Sequence, residues 1–253
     1  MLIDTHLHLS DETEEEIKKI IDSASFNDVN ILILGGCSIK ENLNNLDLTN
    51  KYNNVYTAIG YHPDEVHNVT DYDVKLLEDQ INDNKKVVAI GEIGLDYHYE
   101  KESKKKQQDL FRKQLELASK LKLPVVIHSR DASFDTYNIL KEYDLKGIIH
   151  CFSESLEMAK QYISLGYLLG IGGVVTFENS NLKEVVKEVD LSDIVFETDS
   201  PYLSPIRGKK NNPSNIKSIA SYVAKLKKID FSKVAKITTN NVFNLFDLNS
   251  KIW

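Results

Sequence analysis

The chain has 253 residues, 42% of them hydrophobic and 27% charged, with a formal net charge of −7. That much apolar material supports a full core and excludes a disordered chain, while the acidic balance argues against a surface that coats nucleic acid at large. The two cysteines, Cys37 and Cys151, are too few for a disulfide framework and fit a reducing compartment. Met1-Leu2-Ile3-Asp4 lacks the basic region of a signal peptide. No apolar stretch approaches the about 20 residues that span a bilayer. A cytoplasmic location is expected.

In chain order, eight short apolar runs rich in β-branched residues alternate with segments of helical period. Residues 2–4 lead straight into Asp4-Thr5-His6-Leu7-His8. Residues 14–24 then place Ile17, Ile20, Ile21 and Ala24 on one helical face, behind a capping box of Thr13 and Glu16. The second run, 31–34, precedes a helical pattern at 39–48 that its asparagines weaken. Run 55–59 is followed by a helix at 74–81, and run 87–90 by one at 110–121. Runs 125–127, 147–149, 167–171 and 194–196 are each followed by a helix, at 134–143, 155–165, 182–189 and 216–226. A last helix at 231–246 is expected to pack outside the sheet or cover one end of it.

The runs are nearly continuous rather than alternating, as in parallel strands buried on both faces. Eight strand–helix repeats predict a single (β/α)8 TIM barrel over residues 1–253, a size typical of that fold at about 250 residues. An open, doubly wound sheet is the alternative. Against it, no glycine-rich phosphate loop follows the first run, and candidate ligands come from strands spread over the whole chain, which only a closed ring brings together.

Those candidates all fall where a barrel does its chemistry, at the C-terminal ends of the strands. His6 and His8 close the first run and share a face by the alternation of a strand. His62, Glu92, His128, His150 and Asp199 follow runs three, four, five, six and eight. Five of the seven histidines are so placed, His67 and His98 being the exceptions. Each one alone reads as well as a buried histidine with an ordinary partner, or as a helix cap. Their joint placement points to metal. Four imidazoles and two carboxylates exceed one tetrahedral site, so two divalent ions are expected. His6, His8, Glu92 and Asp199 are assigned to one; Glu92, His128 and His150 to the other, with Glu92 bridging. Two ions about 4 Å apart suit the in-line displacement of a phosphodiester, with Asp199 receiving the proton of the attacking water.

The same segments resemble the TatD family of metal-dependent deoxyribonucleases, within the amidohydrolase superfamily. They are Ile3-Asp4-Thr5-His6-Leu7-His8, Gly60-Tyr61-His62-Pro63, Gly91-Glu92-Ile93-Gly94-Leu95-Asp96-Tyr97, His128-Ser129-Arg130, His150-Cys151-Phe152-Ser153 and Glu197-Thr198-Asp199-Ser200-Pro201-Tyr202-Leu203, followed by the basic loop Arg207-Gly208-Lys209-Lys210-Asn211-Asn212-Pro213. The resemblance covers essentially the whole chain. It implies a TIM barrel, a divalent-metal site and hydrolysis of DNA, often from the 3′ end. Two departures stand out: Glu154 where the family has glycine, and Asn211 where a basic residue is common, which weakens the local positive patch.

Around the ligands, His62, Arg130 and Lys209 are expected to bind phosphate or guide the strand, and Glu197 to orient a ligand histidine from behind. Lys210 is more ordinarily part of a solvated loop, and Cys151 packs. An esterase or lactonase on the same scaffold is the competing function, set apart by the phosphate-binding supplement and by a carboxylate at strand four. A non-catalytic binding protein would show a broken ligand set. The ions are Mg2+, Mn2+ or Zn2+; imidazoles favour zinc, manganese or cobalt, whereas the resemblance implies activity with magnesium. A monomer is expected.

Overall fold

The computed structural model describes residues 1–98 and 103–248. Eight parallel strands lie in the order β1 to β8. They are β1 (Leu2–Leu7), β2 (Val29–Gly35), β3 (Val55–Ile59), β4 (Val87–Asp96), β5 (Val125–Arg130), β6 (Gly147–Ile149), β7 (Tyr167–Ile171) and β8 (Ile194–Phe196). β1 and β8 meet at their C-terminal ends to close the ring. There Asp199 N–H donates to His6 C=O (2.9 Å), His8 N–H to Ser200 C=O (2.7 Å), and Thr5 Oγ1 to Phe196 C=O (3.0 Å). The architecture is a (β/α)8 TIM barrel.

The helices are α1 (Glu14–Phe26), α2 (Ile39–Lys51), α3 (Asp71–Asp83), α4 (Lys104–Leu121), α5 (Ser133–Leu140), α6 (Leu156–Ser164), α7 (Leu182–Glu188), α8 (Ile216–Lys227) and α9 (Phe231–Phe246). The capping box forms as read: Glu16 N–H donates to Thr13 Oγ1, and Thr13 N–H to Glu16 Oε2. The asparagines that weakened the pattern of α2 turn out to be tertiary anchors. Asn42 and Asn45 are buried and donate to the backbone carbonyls of Gly60 and Gly35. Helix propensity yields here to the need of two strand-end carbonyls for partners.

Three strands continue three residues or more past the ends of their apolar runs. β1 continues to Leu7, β4 to Asp96 and β5 to Arg130. His6, Glu92 and His128 therefore sit within strands rather than after them, and polarity ended the sequence pattern before the backbone ended its ladder. Inside the barrel Ile3, Ile31, Ile33, Ala58, Val88, Val126, Ile148 and Val195 pack with Val242, Phe246 and Leu248. α9 thus plugs the N-terminal end and leaves the opposite end for chemistry. Among the described residues no helix is long and apolar enough to cross a membrane.

Candidate metal centre

At the C-terminal ends of the strands lies a cavity of about 490 Å3. Glu92, almost fully buried, stands at its floor. Its two oxygens face different partners. Oε2 lies 3.2 Å from His6 Nε2 and 4.0 Å from His8 Nε2. Oε1 lies 2.7 Å from His128 Nδ1 and 3.7 Å from His150 Nε2. Asp199 Oδ1 stands 3.5 Å from His8 Nε2 and 4.0 Å from His150 Nε2. All six residues named from the sequence as ligands meet here. Triads within them, His6–His8–Glu92, Glu92–His128–His150 and His6–His150–Asp199, have mutual spacings that suit a metal ion. Glycine backbone makes room for two of the groups: a Cβ on Gly35 would lie 2.5 Å from His6 Cε1, and one on Gly170 2.2 Å from Glu197 Oε2. Asp199 and Cys151 both adopt left-handed backbone, at φ 53° and 47°. That turns the chain sharply just past β8 and β6.

Behind three of the imidazoles stands a carboxylate. His150 Nδ1 lies 3.1 Å from Glu197 Oε1, His8 Nδ1 2.9 Å from Glu41 Oε1, and His128 Nε2 3.2 Å from Asp96 Oδ2. Each pair turns the other ring nitrogen inward, an arrangement that fixes the tautomer of a ligand histidine and raises its basicity. Glu197 was read from the sequence; Glu41 and Asp96 were not. Asp96 is four residues from Glu92 on the same strand, and the two-residue alternation was a usable signal. Glu41 comes from the first turn of α2 and had no local signature. Asp4, fully buried, was also passed over: its carboxyl accepts from the backbone N–H and hydroxyl of Thr198 and from His6 N–H, tying β1 to the segment after β8.

His62 and Arg130 line the cavity wall. His62 Nδ1 accepts the backbone N–H of Asp64 (3.2 Å), which leaves Nε2 as the donor toward the cavity. Lys209 is not brought to the wall. It is exposed in the loop beyond Ile206, and Lys210 pairs with Glu12 at the rim. The reading of Asn211 as a gap in a surface patch is corrected. Asn211 is buried, donating to the carbonyls of Thr198 (2.7 Å) and Tyr202 (2.6 Å) and accepting from Asn215 (2.8 Å). A long basic side chain has no place there; Asn211 pins the loop to the end of β8. Cys151 lies beyond the end of β6, and its N–H donates to Glu197 Oε1 (2.5 Å). Glu154 is half-buried, and burial pushes its carboxyl up against the hydrogen bonds of Ser133 and Ser129.

Seven carboxylates line the cavity, Asp11, Glu12, Glu41, Asp64, Glu92, Asp96 and Asp199, against one guanidinium, that of Arg130. The donor set of imidazoles and carboxylates fits divalent cations, and the charge balance calls for them. Without metal, protons take their place. Burial opposes the charging of His128, but Asp96 and Glu92 overcome it and push its imidazole up to about 9. Burial likewise opposes the charging of His150, and Glu197 and Glu92 push it up to about 10. Burial and His150 instead hold His6 below its usual value.

A ligand nitrogen must be unprotonated, so at neutral pH metal has to displace these protons. The raised values of His8, His128 and His150 favour the charged imidazoles, and apparent affinity therefore climbs with pH through neutrality and up to at least about 9. The expected slope is about tenfold per pH unit for each proton displaced. Mn2+ calorimetry at pH 6.5, 7.5 and 8.5 reads it directly. A flat affinity over that window would contradict the proton inventory.

A family model described as TatD related DNase matches residues 3–247 of the chain. The metal-dependent hydrolase YabD of Bacillus subtilis is 39% identical over 256 residues, covering 98% of this chain and all of YabD. The metal-dependent hydrolase YcfH of Escherichia coli K12 is 36% identical over 259 residues, covering 98% and 97%. Among solved structures, YjjV, a TatD homologue of Escherichia coli K12, superposes with a TM-score of 0.92 at 29% identity, over 97% of this chain and 98% of that one.

Proposed function

This chain belongs to the TatD family of metal-dependent hydrolases, and on that footing we propose that it is a deoxyribonuclease that removes nucleotides from the 3′ ends of DNA strands. The observation that carries the reading is Glu92 with one oxygen toward His6 and His8 and the other toward His128 and His150. A buried carboxylate between two imidazole pairs suits a bridging ligand. His6, His8, Glu92 and Asp199 would hold one divalent ion, and Glu92, His128 and His150 the other, as Mg2+, Mn2+ or Zn2+. Bound there, the pair supplies Lewis acidity at the phosphoryl group and lowers the pKa of an attacking water toward about 7.

The chain's own groups do the rest. Burial alone would raise the carboxyl of Asp199, but His8, His150 and His6 hold it below the usual carboxylate range. It is ionised at neutral pH and placed to accept the proton of the attacking water. Water adds to phosphorus as the bond to the leaving oxygen breaks, and the proton taken up by Asp199 returns to that oxygen, which departs as a hydroxyl. His62 Nε2 and Arg130 donate to the phosphate oxygens and hold the group in line. Glu41, Asp96 and Glu197 keep the imidazoles in their tautomers. Lys209, outside the cavity, is left to the strand beyond it. A location in the cytoplasm fits the two free thiols, Cys37 and Cys151.

Arg130→Met tests the substrate class. It removes the charge and the paired donors but keeps much of the bulk. DNA cleavage is expected to fall by about 10- to 100-fold, mainly through KM, with metal content unchanged. Hydrolysis of a neutral ester or lactone, where measurable, should scarcely move. Equal losses on both substrates would contradict a phosphate-binding role.

A further inference from the structure

One group of the cavity, the thiol of Cys37, is not used by that mechanism. Cys37 lies past the end of β2, where its sulfur meets His8 and Glu41 with ligating atoms all within 4.8 Å of one another. Cys37 Sγ stands 3.3 Å from Glu92 Oε2, the same oxygen that faces His6 Nε2 at 3.2 Å. The sulfur therefore borders the space enclosed by His6, His8 and Glu92. Its backbone is held on both sides. Cys37 N–H donates to Glu41 Oε2 (3.1 Å), and Cys37 C=O accepts from His62 N–H (2.9 Å). Glu41 in turn holds His8 through its other oxygen (2.9 Å), and Ser38 caps α2 by accepting from Glu41 N–H. One carboxylate thus fixes both the imidazole and the segment that carries the thiol. Among the described residues lining the cavity, Cys37 is the one sulfur donor.

We propose that Cys37 is a thiolate ligand of the metal held by His6, His8 and Glu92, and that it biases this half of the centre toward thiophilic cations over magnesium. On binding, a metal–sulfur bond forms and the thiol proton passes to solvent; no oxidation state changes. Thiolate, imidazole and carboxylate together form a set that zinc, cadmium and cobalt accept, whereas Mg2+ prefers oxygen ligands in octahedral geometry. The proposal rests on the metal-centre reading but not on the identity of the substrate.

Cadmium is the probe. Metal-free full-length protein titrated with Cd2+ is expected to develop a sulfur-to-metal charge-transfer absorption in the near ultraviolet. That absorption should saturate at one equivalent per chain. Cys37→Ser should lose it while still binding cadmium by metal analysis, and Cys151→Ser should keep it. In competition, the preference for Zn2+ over Mn2+ should fall by about tenfold or more in Cys37→Ser. Cys37→Ala replaces the serine variant if circular dichroism shows that the latter is unfolded. Cadmium bound to wild type without the absorption, its persistence in Cys37→Ser, or an unchanged zinc preference would each overturn the proposal. No metal bound at all would overturn the metal-centre reading with it, whereas binding without the sulfur signal overturns the role of Cys37 alone.

Discussion

Asp199→Asn is expected to lower the turnover of DNA cleavage by about 10²- to 10⁴-fold, the range supplied by a positioned general base. The carboxylate sits between His8 and His150 at 3.5 and 4.0 Å, and its neighbours hold it in the ionised form. Asparagine preserves the size of the side chain and one oxygen that can still face a cation. It cannot take a proton from water. The variant must be compared with wild type at saturating metal and with bound metal measured, so that lost affinity is not mistaken for lost chemistry. Near wild-type turnover in a fully metallated variant would remove Asp199 from the role of base.

A second large effect is expected at Glu92. Its two oxygens serve both halves of the cluster, so Glu92→Ala should reduce the divalent ions retained after saturation from two per chain to one or none. DNA cleavage should fall below detection. The metal-free variant should also be less stable by about 3–5 kcal/mol, because the protonated His128 and His150 lose a buried counter-charge. Inductively coupled plasma analysis of the gel-filtered protein gives the stoichiometry, and urea unfolding at neutral pH gives the stability. Two ions retained by the variant, or a wild-type plateau at one, would contradict a bridging carboxylate.

What could be read from the sequence followed from where its signals lie. Strand-end residues were legible jointly rather than singly, since one histidine or carboxylate after an apolar run is ordinary but six of them at strand ends are not. His6, His8, Glu92, His128, His150 and Asp199 all meet in one cavity. Glu197 was legible from its place two residues before Asp199, although both lie past the end of β8 and the left-handed backbone of Asp199 turns the two carboxylates apart, Glu197 to the back of His150 and Asp199 to the cavity. Glu41 was not, because an acid in the first turn of a helix is ordinary dipole and capping chemistry, and only the closed ring brings it to His8. Cys37 was hidden in the same way, its 3.3 Å approach to Glu92 joining residues 55 apart in sequence. Asn211 shows the reverse failure. Its place in a basic loop suggested a surface role, and burial under Tyr202 and Thr198 gives it a structural one. The asparagines of α2 misled locally for a related reason, since their partners are carbonyls on neighbouring strands.

The proposed reaction is a metal-dependent attack on DNA at its 3′ end. Single-stranded DNA carrying a 5′ label should be incubated with metal-free protein, with the protein plus Mg2+, Mn2+ or Zn2+, and with the protein plus chelator, beside a panel of lactones and esters. A ladder that shortens progressively from the 3′ end in the presence of at least one of these ions, and vanishes with chelator, is the expected result. Intact DNA under every metal, together with efficient turnover of a lactone or ester, would contradict it.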